Sequence, residues 1–381
     1  YFSIYNLTFV NSYFEAISGF TSTGFTIFDN IKHIDQGLIL WRSSSQWIGG
    51  LYFLFSIILL IDIFDNSFKK SLTNFISFNK AETLKQSFKI FLLYSVITFS
   101  IFIILNLLGI RSINSLNLAM TIISSGGFLP TNSLSNIIIH NSQMIIFGIL
   151  MLTSFFSIFL TYNLIFIKNR DLNFFNEDLH LLLYLLFLFA FFFLFSNFDN
   201  NFGILFFSLI SSISNIGFSL NENSTNLSFI FLILVIIGGS FFSTSSGIRF
   251  LKIYSLFKYS INEILSYSKP KNIYVNKYLF SNNFFEQNEI YKYFLSIVIF
   301  VISLFILSSI LTLNGITFEN SFKLAVLTLM NTVNSSIYGL SDFNFYDLQF
   351  FTKYYLILFM IIGRFELLTL LIISKKFLFK D

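Results

Sequence analysis

The stretch Ser18-Gly19-Phe20-Thr21-Ser22-Thr23-Gly24-Phe25-Thr26 decides how this chain is read. A short apolar segment, Tyr13 to Ile17, precedes it and is too brief to cross a bilayer; a long apolar run, Ile48 to Ile61, follows. Small hydroxyl residues running into a glycine suit a backbone that leaves a helix and turns its carbonyls toward an ion. Glycine accepts positive φ without a Cβ clash, and serine or threonine holds neighbouring backbone through side-chain hydrogen bonds. One such cluster also makes an ordinary loop, so the weight lies in its recurrence.

Composition sets the solvent. The chain is 55% hydrophobic and only 11% charged, against about 25% charged for soluble domains, which makes it an integral membrane protein. Cysteine is absent, excluding disulfides, thiolate metal sites and cysteine nucleophiles. The three histidines (His33, His140, His180) form no ligand-spaced cluster. The 57 phenylalanines accompany plentiful Asn, Ile and Lys and read as compositional bias. With no initiating methionine, and its first residue close to the opening motif, the chain reads as truncated or processed at its N-terminus; no signal peptide is legible.

Spanning a hydrocarbon core takes about 20 apolar residues. Leu38–Ile61, Ile90–Leu108, Gln143–Ile167, Leu179–Phe195, Leu227–Phe250, Tyr291–Leu313 and Tyr354–Ile373 qualify. Shorter stretches lie between them: Tyr13–Phe20, Ser115–Ile123, Gly203–Ile213 and Phe318–Met330. Start signals accompany three of these. Ser12 and Glu15 read as a capping box, Asn201 precedes the third stretch, and Thr317 with Glu319 opens the fourth.

The pattern is long helix, short re-entrant helix, turn, long helix, recurring at roughly 100 residues, too long a period for a solenoid. The predicted fold is an all-α membrane protein of four pseudo-symmetric units around a central cation pore: 1–66, lacking its leading long helix, then 90–168, 179–255 and 289–376. Most of the 23 Lys and Arg fall in 62–89, 168–179, 249–292 and the tail from Lys375. The positive-inside rule makes those segments cytoplasmic and brings the short helices in from outside. The net charge of +4 thus reports topology and gives no reason to invoke nucleic acid.

Irregular backbone at membrane depth is tolerated where it lines a cavity or is buried in protein. Four turns around one axis can replace a cation's hydration shell with carbonyls, while the C-terminal dipole ends of the short helices face the same axis. The candidate filter residues are Thr21, Ser22, Thr23 and Gly24; Ser124, Ser125, Gly126 and Gly127; Ser214, Asn215, Ile216 and Gly217; and Thr332, Val333 and Asn334. Positive φ is expected at Gly24, Gly127 and Gly217, with Asn334 aligned to them and Ser335 or Ser336 as alternatives. The competing reading is that the glycines only permit close helix packing; that explains single glycines better than four hydroxyl-rich turns in register.

Two further features stand out. Gly238, Gly239, Ser243, Thr244 and Gly247 lie in a run of glycines and hydroxyls, 238–247, that interrupts Leu227–Phe250, either as a loop across the pore or as a packing kink. Arg364 is the eleventh residue of the run from Tyr354, near the bilayer centre. A central arginine costs about 2.5–3.5 kcal/mol on translocon scales, so it faces water or a partner: either it projects into the pore as a barrier, or it is a buried ion pair with an acid such as Glu366.

These motifs together resemble the TrkH/KtrB/HKT superfamily of potassium transporters, with the TrkH branch the nearer. The residues carrying the resemblance are Phe14 to Gly24; Trp41-Arg42-Ser43 with Gln46-Trp47-Ile48-Gly49-Gly50; Ser124 to Phe128; Gly238-Gly239-Ser240 with Ser243-Thr244 and Gly247-Ile248; and Gly363-Arg364-Phe365-Glu366. The likeness implies a pore-forming subunit for K+ uptake at the cell inner (plasma) membrane, multi-pass, with Arg364 projecting into the pore. It implies a homodimer on a cytosolic nucleotide-binding regulatory subunit, contacts with membrane lipid, K+ as the transported ion and no bound organic cofactor. The fourth filter of that family usually carries a glycine, and its loop is richer in glycine than Phe241 to Ser246. A sodium-permeable member of the same fold is therefore the first alternative. An ion-coupled secondary transporter is the second; it would place titratable acids at mid-membrane, where only Glu366 qualifies. No nucleophile–base pair or metal-ligand set lies within the spans, so the chain does not read as an enzyme.

Overall fold

In a computed structural model the chain is described at Tyr5 and over residues 7–59, 83–161, 176–195, 202–220, 227–267, 287–340 and 343–365. Much of the basic segments 62–89, 168–179 and 249–292, the whole tail, Asn201 and Glu366 lie outside the described residues. So does the orientation argument that rests on them.

The helices are α1 Phe9–Phe20, α2 Gln36–Leu59, α3 Thr83–Leu107, α4 Ser112–Ile123, α5 Asn141–Phe155, α6 Asn176–Phe195, α7 Phe202–Ile213, α8 Ser228–Ile236, α9 Phe250–Ser266, α10 Gln287–Leu313, α11 Phe318–Leu329 and α12 Phe350–Phe365. Among the described residues α3, α6 and α10 are long and apolar enough to cross a bilayer. Their exposed faces carry phenylalanine and leucine, such as Phe99, Phe187 and Phe294, as lipid contact requires. The protein is thus an all-α membrane protein.

The four short helices α1, α4, α7 and α11 each span 12 residues. Contacts between elements run in a closed circuit: α2 packs on α4, α5 on α7, α8 on α11 and α12 on α1. Each short helix therefore lies between two neighbouring helices, and the circuit returns to its start. Close approaches make this possible. A Cβ on Gly49 of α2 would collide with the Phe20 carbonyl, and one on Gly363 of α12 with that of Leu329, the small-residue packing common between membrane helices.

One start signal is corrected and another holds. The first short helix begins earlier, with Thr8 as N-cap accepting from the Asn11 N–H at 3.4 Å. Ser12 is inside the helix, and the Glu15 carboxylate turns to the loop beyond the helix instead of back to a cap. At α11, Thr317 occupies the N-cap position without a side-chain capping bond, and Glu319 pairs with Lys323 one turn on, at 2.6 Å. The apolar run from Leu227 breaks where glycines and hydroxyls replace branched side chains. Helix α8 ends at Ile236, and Ile237–Gly238 (β1) pairs in parallel with Ile248–Arg249 (β2), pinching 238–247 into a loop before α9 starts.

Candidate functional site

All four short helices end in the same way. The N–H groups of Thr23, Gly126, Ile216 and Thr332 donate to the carbonyls of Ser18, Thr121, Ser211 and Leu327, five residues back. The residue before each donor is left-handed: Ser22 (φ 57°), Ser125 (φ 55°), Asn215 (φ 58°) and Asn331 (φ 45°). This is a Schellman cap, used four times on residues that carry a short polar side chain where glycine is usual.

Those caps set the register of the candidate filter. The quartets are Thr21–Gly24, Ser124–Gly127, Ser214–Gly217 and Met330–Val333. Val333, not Asn334, stands level with the three glycines, and the left-handed asparagine is Asn331. The alignment drawn through Asn334 is thus displaced by one residue, because α11 ends at Leu329 and the cap counts from there. A second correction concerns Gly127. Gly24 and Gly217 have positive φ (84° and 79°), whereas Gly127 is not left-handed. What demands glycine there is space: a Cβ on Gly127 would run into the Val333 side chain.

The turns also meet one another. Ser125 Oγ donates to the Ser214 carbonyl at 2.6 Å, Asn215 Nδ2 to Thr332 Oγ1 at 3.3 Å, and Asn331 Nδ2 to Thr23 Oγ1 at 2.9 Å. Three of the four left-handed side chains thus reach the next turn around the circuit. Between the first and second turns the contact is backbone on backbone, Gly24 against Gly127.

Behind the turns a second set of bonds repeats. Ser18 Oγ donates to the Phe25 carbonyl (2.7 Å), Thr121 Oγ1 to that of Phe128 (3.3 Å) and Ser211 Oγ to that of Phe218 (2.8 Å). In the fourth turn Leu327 replaces the hydroxyl residue and Asn334 the phenylalanine, so this bridge is missing. Its sequence signal is a hydroxyl six residues before each glycine and an aromatic one after it. Unforeseen was the buried pair Glu15–Arg42. Arg42 Nε donates to Glu15 Oε1 at 3.0 Å and Nη2 to Thr26 Oγ1 at 2.9 Å; Glu15 Oε2 accepts from the Ile27 N–H, and the guanidinium lies 4.2 Å from the Phe128 ring centroid. It braces the backbone just beyond the first turn.

Against the end of α4, at the second turn, lies the loop 238–247. Its Ser240 and Ser245 N–H groups donate to the Phe155 and Ser154 carbonyls, and Thr244 Oγ1 donates to Ile123 O at 2.6 Å, at the end of α4. Gly238 and Gly247 close its neck, where a Cβ on Gly239 would strike the Phe155 carbonyl. Ser243 Oγ donates to Ser240 O at 2.7 Å. Arg364 is buried (4% exposed) against it. Its Nη1 donates to Thr244 O (3.2 Å) and Ser246 Oγ (2.9 Å), and Nη2 reaches Ser124 O at 3.5 Å; the guanidinium also lies 4.5 Å from the Phe53 ring centroid. Its partners are carbonyls, a hydroxyl and an aromatic face, and they link the loop to the first residue of the second turn.

Fold and site define an all-α membrane protein in which four capped short helices bring their C-terminal turns into contact with one another. No family model matches the chain. In sequence it is 27% identical over 296 residues to an uncharacterized cation transporter of Methanocaldococcus jannaschii, covering 73% of this chain and 59% of that protein. It is 23% identical to the Trk system potassium uptake protein TrkG of Escherichia coli K12, over 99% of this chain and 80% of the other. The crystal structure of the potassium transporter TrkH from Vibrio parahaemolyticus superposes with a TM-score of 0.82 at 19% identity, covering 96% of this chain and 78% of that one. In sequence the chain is thus similar to Trk system potassium uptake proteins, and in fold to TrkH.

Proposed function

We propose that this chain is the pore-forming subunit of a potassium-uptake system. K+ passes through a filter of backbone carbonyls from the four turns, with the loop 238–247 and Arg364 as gate and barrier beneath. The observation that carries the reading is the set of four Schellman caps, tied turn to turn. Each cap directs the negative end of a short helix at one place and holds backbone in a fixed curve there, as a site that strips a cation's water must. The units are 1–66, 90–168, 179–255 and 289–376. The relatives' names supply the ion, and the resemblance supplies a homodimer, a cytosolic nucleotide-binding partner and the inner membrane as its place.

One observation favours a second reading, a sodium-permeable member of the same fold: Val333 stands where three turns have glycine. A branched residue disfavours positive φ, so the fourth carbonyl does not follow the path of those after Gly24 and Gly217. Flux of rubidium and of sodium into liposomes containing the purified protein tests both. Rubidium entry that potassium competes away, well above sodium entry, supports potassium uptake. Equal entry of the two supports the second reading, and entry no faster than into protein-free liposomes overturns both.

A further inference from the structure

Beyond the filter, the described residues hold an acid pair that nothing above employs: Glu177 and Asp178, in the first turn of α6. We infer that Glu177 is a positioning residue for the loop 238–247, and that its carboxylate holds the crest of that loop in the seated position. The inference rests on the reading of this loop as the gate.

Three observations meet here. Glu177 Oε1 accepts the Phe241 N–H at 2.8 Å, and Oε2 accepts the Ser240 hydroxyl at 3.3 Å; one carboxylate grips two successive residues of the crest. Asp178 Oδ1 accepts the Ser157 N–H at 3.1 Å, and the next N–H, that of Ile158, donates to Phe242 O at 3.1 Å. The first turn of α6 therefore holds both the loop and the strip of chain on which the loop rests. From the other side Arg249 Nη1 donates to Ser240 O (3.2 Å), Ser243 Oγ (3.3 Å) and Ser245 O (2.9 Å). Ser240 is thus caught between a carboxylate on its hydroxyl and a guanidinium on its carbonyl.

The geometry says which part can move. The neck is fixed by the pairing of Ile237 with Ile248 and Gly238 with Arg249, so displacement of the loop means displacement of the crest. Arg249 sits in that neck and belongs to the loop's own base. Glu177 belongs to a different helix, so its grip is what couples the crest to α6. Bonds from a carboxylate to N–H and O–H groups out of water are the stronger kind, and losing such a bond changes an equilibrium by about tenfold or more.

The chain has no cysteine, which makes the test direct. Ser246→Cys supplies a single thiol in the buried part of the loop, and its reaction with a soluble maleimide is timed in detergent-purified protein with and without Glu177→Ala. Folding is checked by gel filtration and thermal melting. The alanine variant is expected to label about tenfold faster and, in liposomes, to pass rubidium several-fold faster. Glu177→Gln keeps an oxygen for the Phe241 N–H and a group for the Ser240 hydroxyl, and should label within about twofold of the parent. Should the alanine variant not fold, Ser240→Ala removes one of the two bonds and should shift labelling the same way, by less. Labelling unchanged in a folded alanine variant, or a glutamine variant as fast as alanine, overturns the inference. If labelling responds as expected while the parent protein passes no cation, the positioning stands and the proposed function fails instead.

Discussion

The first three turns and the fourth share one backbone plan and differ in what holds it. Ser18, Thr121 and Ser211 each bridge from the short helix to the carbonyl after the glycine position, whereas the fourth turn has Leu327 there and Val333 in place of glycine. Its cap survives intact through Asn331. The cap and the bridge are therefore separable: the cap follows from where the helix ends, the bridge from one hydroxyl. In the fourth turn the isopropyl group of Val333 lies against Gly127 and Gly217, so side-chain packing does there what hydrogen bonding does in the other three. The Asn334 amide meanwhile donates to Leu340 O at 3.2 Å, further along the chain.

The largest effect should come from the first turn's own support. Glu15→Ala leaves Arg42 buried (1% exposed) without its carboxylate, and stranding a buried charge costs about 3–5 kcal/mol. The melting temperature should fall by many degrees. A drop no larger than that of a surface substitution would show that the first turn needs no such brace.

The exchange of valine and glycine sharpens the comparison most. Gly127→Val puts a second branched side chain against Val333, an overpacking of about 1–3 kcal/mol, and should abolish most flux. Adding Val333→Gly frees that space, so the double variant should recover flux that the single one lost. Recovery tests contact, since coupling is expected only for residues that touch. No recovery would mean that Gly127 is required for its backbone alone. Val333→Gly by itself makes the fourth turn like the others and should raise the rubidium-to-sodium flux ratio; an unchanged ratio would remove Val333 from any part in selectivity.

Arg364→Ala follows in size. The residue's described partners are neutral, so its loss strands no acid among them, and flux should rise several-fold with a modest change in melting. Lower flux together with lower stability would sink the barrier role and leave Arg364 as a fastening of the loop to Ser124.

The smallest effect concerns the bridge itself. Ser211→Ala should cost about 1 kcal/mol, seen as a shift of a few degrees in melting. If it costs nothing, the first three turns are no better held than the fourth, and the contrast drawn above is one of residue type only.

Local sequence was sufficient for much of this. Short apolar runs bounded by hydroxyls and glycine marked all four short helices, whose C-terminal ends fall within a residue of expectation, because a helix stops where Schellman-type residues follow it. The glycines and serines of 238–247 marked a break in a membrane helix for the same local reason. Starts were less legible: Ser12 and Glu15 match a capping box in pattern, yet Glu15 is drawn to Arg42, 27 residues away.

The composition and the order of runs thus determined an all-α membrane protein with four short helices ending in hydroxyl-rich turns, since hydrophobic length and turn chemistry act over neighbouring residues. Only the tertiary structure decided that Val333 is level with Gly24, Gly127 and Gly217, that Arg364 is satisfied by loop carbonyls and Ser124, and that Glu177 holds Ser240 and Phe241. Each of those depends on contacts between residues tens to hundreds of positions apart, and the energy of such a contact is set by distance and burial in the folded chain, for which sequence spacing carries no measure.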